Sequence, residues 1–134
     1  MKTDIILPFA DGEYLFRLPI KRIVEIEAKA GPIDGVKHRL LHGGFSIHDV
    51  VETIRQGLIG GGKGIVDGVD VAVSDLKANS LIQGYVDDKP LAESHILARA
   101  IVTALYIGYE PPEDQKKSED DKTETESPAS SIGD

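Results

Sequence analysis

The stretch Phe45–Gly62, FSIHDVVETIRQGLIGGG, constrains this chain more than any other, because a helix start, a periodic body and a stop coincide in it. The Ser46 side-chain oxygen is placed to accept a bond from an unpaired backbone N–H of the first turn. Asp49, three residues on, makes a near-match to a capping box, with Asp where Glu or Gln is usual. Its charge suits the positive end of the helix dipole. Phe45 before the cap and Val50 or Val51 after it fit a hydrophobic staple. Val50, Val51, Ile54 and Leu58 then recur at helical spacing. Gly57 and the run Gly60-Gly61-Gly62 are expected to end the segment. A helix is predicted over about 47–59.

Around it the chain reads as one α+β domain, mostly α, over residues 1–109. An N-terminal β-hairpin is expected to pack on a bundle of four to five helices. Asp11-Gly12 is a hairpin signal, since glycine tolerates positive φ. Tyr14, Phe16 and Leu18 alternate with Glu13, Leu15 and Arg17, which predicts strands over about 3–9 and 13–18. Pro8 must then lie at an edge, because it cannot donate to a ladder. A lone hairpin is marginal in water, so it must pack on something, most simply the first helix.

Pro19 opens that helix, which runs to about Ala30, with Ile20, Ile23, Val24 and Glu27 on one face. A second is expected over about 36–42, with Val36, Leu40 and Leu41 inward. Ser74 caps a fourth over about 75–86, with Leu76, Leu81, Ile82 and Tyr85 apolar. Pro90 starts a fifth over about 90–107. The broad stripe Leu91, Leu97, Ala98, Ile101, Val102 and Leu105 puts the fifth helix at the centre of the core. Between Gly60 and Ser74 the valines at 69, 71 and 73 alternate like a strand. The glycine-rich context favours an extended connector instead.

Charge is divided unevenly. The net charge is −8, and residues 110–134 carry 9 acidic against 3 basic side chains, whereas residues 1–109 carry 14 against 12. The last segment has one large apolar residue, Ile132, and reads as a disordered acidic tail. The body shows no basic stripe, which argues against nucleic-acid binding. No apolar run approaches the roughly 18 residues that span a bilayer. With no cysteine, neither a thiolate metal site nor a Cys nucleophile is available.

Chemical motifs are weak. Gly57-x4-Gly62-Lys63 approaches a P-loop, but Gly64 stands where the Mg²⁺-binding Ser or Thr belongs, and the segment follows a helix rather than a strand. His38 and His42 are spaced i, i+4 with no further ligand identified, so a solvated face is the expectation. Ser46 beside His48 is better read as a cap than as a nucleophile. His95 is expected at the boundary of the core. The carboxylate pairs Asp87-Asp88 and Asp120-Asp121 lie in a turn and in the tail, unlike the walled pocket that shifts a catalytic pKa. No enzyme signature, cofactor site or metal site is expected.

The order of hairpin, Leu18-Pro19-Ile20-x5-Ile26-Glu27 helix, GLIGGG-terminated helix and the final PLAESHILARAIVTALYIGYE helix resembles the gene-transfer-agent and phage tail protein family. The matching positions are Glu27, Gly57 to Gly62, and Leu91 to Gly108. The chain departs in a longer stretch after the triple glycine and in its acidic tail. The resemblance implies a tail assembly chaperone that binds the tape-measure protein and helps the tail-tube protein polymerise around it. Such a protein works in the host cytoplasm, is absent from the finished particle, and often has a longer frameshifted form. The family also implies an alternative, a structural tail-tube or tail-completion subunit residing in the virion tail. Either role needs apolar surface that the core does not consume. Val66, Val69, Val71 and Val73 are the expected partner-binding residues, for a client or for self-association.

Overall fold

The computed structural model describes residues 2–108. Nine elements follow in order: β1 (Ile5–Phe9), β2 (Gly12–Phe16), α1 (Ile20–Ala30), α2 (Ile33–His42), α3 (Ile47–Gly61), β3 (Lys63–Val66), β4 (Val69–Ala72), α4 (Asp75–Tyr85) and α5 (Leu91–Ile107). The acidic tail lies outside the described residues.

The expected hairpin forms, but as half of a four-stranded antiparallel sheet ordered β1-β2-β3-β4. Residues 63–72, expected as a connector, are a second hairpin closed by Asp67-Gly68, both at positive φ. The valine alternation was a true strand signal. In the first hairpin the turn is Ala10-Asp11, one residue earlier than expected, and Gly12 begins β2 opposite Phe9. A side chain on Gly12 would meet the Ile65 carbonyl of β3 at 2.2 Å, so closeness to β3 selects this glycine.

The helix α3 is the centre, packing on α1, α2, α4, α5 and β2. Its Val50, Ile54 and Leu58 are fully buried. Thus α3, not α5, organises the core, and the first hairpin rests mainly on α3 rather than on α1. Tyr14, Phe16 and Phe9 form the aromatic contact, with Phe9 edge-on to both partners at 6.0 Å. The Tyr14 hydroxyl donates to Asp11 Oδ1 at 2.5 Å. Burial, and then that bond, push its ionisation well above the usual phenol range.

The glycines at the end of α3 work by close approach. Along the first half of β2, Glu13 and Tyr14 pair with β3. Along its second half, the last turns of α3 take the place of a strand. Arg17 N–H donates to Gly57 O at 3.1 Å. A Cβ on Gly60 would lie 2.0 Å from Arg17 O, and one on Gly61 1.8 Å from Leu15 O. Only glycine lets a helix backbone lie this close to a strand edge. Gly62 then ends the helix in the left-handed conformation at φ 73°. Residues 60–62 are therefore a packed joint, where sequence suggested a flexible link.

Two helix faces turn differently from expectation. In α1, Ile26 is buried while Ile20 and Val24 are exposed. In α4, Ala78, Leu81 and Ile82 are buried while Leu76 and Tyr85 are exposed. In both, the inward face follows from where α3 lies.

Candidate protein interface

The capping box at Ser46 is present in full. Asp49 N–H donates to Ser46 Oγ at 3.1 Å, and Ser46 N–H donates to Asp49 Oδ2 at 2.8 Å. Ser46 is thus a cap, not a nucleophile. Phe45, expected as a staple, packs against the core cluster that includes Val50 and stacks on the ring of His95 at 4.2 Å. His95 Nε2 lies 2.8 Å from Leu40 O, an oxygen that can only accept, so Nε2 carries the proton. This half-buried histidine fastens α5 to α2. His38 and His42 lie with rings 4.9 Å apart on the exposed side of α2, and His48 is exposed at the start of α3.

The P-loop-like segment does not cradle phosphate. Gly57, Gly60 and Gly61 are packed within the C-terminal half of α3, and Lys63 starts a strand. A phosphate would face the negative end of the α3 dipole rather than a helix N-terminus.

A polar groove of about 780 Å³ runs between α1, α3 and α4. Part of its polar lining is tied up in side-chain bonds. Arg55 pairs with Glu52 and donates to Asn79 Oδ1 at 2.8 Å, and Arg22 donates to Gln56 at 3.0 Å. No nucleophile–base pair stands in it.

The four valines proposed from sequence lie on β3, β4 and the residue after β4, on the sheet face toward the helices. They differ in availability. Val73 is 5% exposed and belongs to the core, whereas Val69 is 62% exposed. Val66 and Val71 are half-buried against the core. Val69 and part of Val71 are therefore the apolar surface that this hairpin leaves exposed on that face.

The opposite sheet face has no helix upon it among the described residues. Ladder partners place Ile6, Pro8, Glu13, Leu15, Lys63, Ile65, Asp70 and Ala72 on it. Ile6 is 58% exposed and Ile65 46%. With Leu15 they line a shallow concavity of about 260 Å³, bordered by Glu13, Lys63 and Asp70. Solvated faces of antiparallel sheets are ordinarily polar, whereas this one leaves Ile6 and Ile65 open to solvent. Sequence reasoning overlooked this face, although the run Tyr14-Leu15-Phe16 carried the signal. A strand apolar on both sides needs cover on both.

Among the described residues, no helix is long and apolar enough to cross a membrane. No curated protein and no solved structure matches the chain. A family model described as phage tail tube protein, GTA-gp10, matches residues 3–108. That span takes in both hairpins, the glycine joint and all five helices, and the chain belongs to this gene-transfer-agent family of phage tail proteins.

Proposed function

We propose that this protein is a structural subunit of a phage-type or gene-transfer-agent tail tube, working by protein–protein contact and catalysing no reaction. The observation that carries the reading is apolar surface left over by the core, on the open sheet face and at Val69, in a chain of the tail tube family. Buried apolar contact of this kind drives association. The partners are other tail proteins, and the place of action is the virion tail, reached from the host cytoplasm during assembly.

A second reading, a tail assembly chaperone that holds the tape-measure protein, is supported by a different observation. Most of the described residues are helical, and their strands are only four or five residues long. A tube wall is expected to use more strand than that. Protein quantification on purified particles separates the two. A tube subunit is present in stoichiometric amount. A chaperone is missing from particles and co-purifies with the tape-measure protein from assembling cells.

A further inference from the structure

The two edges of the sheet are unequal. In an antiparallel hairpin closed by a two-residue turn, alternate residues point their N–H and C=O away from the partner strand. The register Phe9↔Gly12, Leu7↔Tyr14, Ile5↔Phe16 turns the backbone groups of Ile6 and Pro8 outward on β1. Pro8 has no N–H to give, so that edge is blunted. The register Val66↔Val69, Gly64↔Val71 turns the N–H and C=O of Asp70 and Ala72 outward on β4. Among the described residues no strand meets that edge.

The geometry points to a second copy of this chain as the occupant, its own β4 pairing antiparallel with this one about a two-fold axis at Val71. Isologous pairing about a two-fold is the commonest way for identical chains to associate, and three features select this register. First, it exchanges hydrogen bonds between Asp70 of one copy and Ala72 of the other, using all the outward groups on both edges. Second, an axis at Asp70 would set two carboxylates face to face, which is unfavourable. An axis at Ala72 would need Ser74, which has left the sheet and caps α4 by accepting from Lys77 N–H at 3.1 Å. Third, the charges match. On the open face Lys63 stands next to Ala72 in its own chain, and Asp70 of the second copy lies just beyond that small residue. The lysine stem spans Ala72 to reach it, and the two-fold makes the same pair twice. A β4-to-β1 join would instead meet Pro8, so the sheet extends by a two-fold and not head to tail. The result is one eight-stranded sheet whose open faces merge, carrying Ile6, Leu15 and Ile65 of both copies.

This inference deepens the assembly reading, because it names the partner of the β3–β4 hairpin. It is tested on the isolated full-length chain, so its failure is distinct from an absence from particles. The protein has no cysteine, which allows single thiols to be placed at will. At the axis Val71 faces its own copy as a non-hydrogen-bonded pair, whose Cα separation of about 4.5 Å suits a disulfide. Val71→Cys is expected to give a covalent dimer under mild oxidation, and Val69→Cys is not, since Val69 faces Val73 of the second copy. Sedimentation of the cysteine-free protein is expected to show twice the 14.5 kDa chain mass. Ala72→Pro removes only an outward N–H and is expected to return the monomer with an unchanged circular dichroism spectrum. Asp70→Lys is expected to do the same, and adding Lys63→Glu to restore the dimer. A monomer into the hundred-micromolar range, equal cross-linking at 69 and 71, or a dimer indifferent to Ala72→Pro would each overturn the proposal. If instead an extended peptide from another tail protein protects the Asp70 and Ala72 amides from exchange while the chain stays monomeric, the edge belongs to that partner and the two-fold is rejected.

Discussion

Arg39 holds Asp49 with both arms of its guanidinium, Nε to Oδ2 at 2.7 Å and Nη2 to Oδ1 at 2.7 Å. The same Nη2 donates to Ala30 O at 2.9 Å. One fully buried carboxylate at the start of α3 therefore gathers the end of α1, the body of α2 and its own helix cap. Burial alone would raise the Asp49 pKa. The Arg39 hydrogen bond and the Ser46 backbone N–H outweigh burial, and the carboxyl is held below its usual value. Because the folded value is the lower one, the stabilisation is complete above the unfolded carboxyl pKa of about 3.9 and is lost as pH falls through the folded value. Asp49→Ala is expected to cost about 2–3 kcal/mol at neutral pH. Urea midpoints of the two proteins should differ at pH 7 and converge on acidification below about pH 4.

The glycine joint predicts opposite outcomes for two similar substitutions. Gly61→Ala forces a methyl group against Leu15 O and is expected to destabilise by about 3 kcal/mol or more, or to prevent folding. Gly84→Ala, in α4 with open space around it, is expected to stabilise by roughly 0.5–1 kcal/mol. Thermal denaturation distinguishes them. Equal effects would show that the close approach of α3 to β2 is not what glycine is needed for.

Thr53 is fully buried, and its Oγ1 has no hydrogen-bond partner among the described residues. Replacing it by the isosteric valine removes an unsatisfied hydroxyl. Thr53→Val is expected to gain about 1 kcal/mol in chemical denaturation. A loss of that size would mean that the hydroxyl is paired in solution.

Two valines four positions apart, Val69 on β4 and Val73 just after it, should part ways. Val73→Asp buries a charge in the core and is expected to cost several kcal/mol, seen as a large fall in melting temperature. Val69→Asp places the charge in water and is expected to leave melting nearly unchanged while abolishing co-purification with tail partners. Retained co-purification would remove Val69 from the interface.

By composition, residues 111–134 cannot bury enough apolar surface to offset the ordering of their backbone. Their deletion is expected to leave the melting temperature of the remaining domain within a few degrees. A larger fall would assign the acidic segment a part in the fold.

Short-range rules read the first-hairpin turn to within a residue and the capping box at Ser46. They also located α3 and the existence of five helices. Each rests on neighbours a few positions apart, where backbone sterics and capping bonds act directly. The candidate interface was half legible. The valine alternation gave the strand, but which valine faces a partner depends on the core beneath it. Val73 is covered and Val69 is not.

Sequence by itself determined the caps, the helical and strand periods and the family, because these are written in local spacing and in a recurring order of motifs. Only the tertiary structure decided that β3 and β4 join the first hairpin, that the triple glycine is a tight joint, and which apolar residues stay exposed. The reason is physical. An apolar side chain is indifferent to what covers it, and a glycine carries no mark of the backbone it lets approach. Both acquire their meaning from partners far away in the chain, as Gly61 does from Leu15 and Asp49 from Arg39.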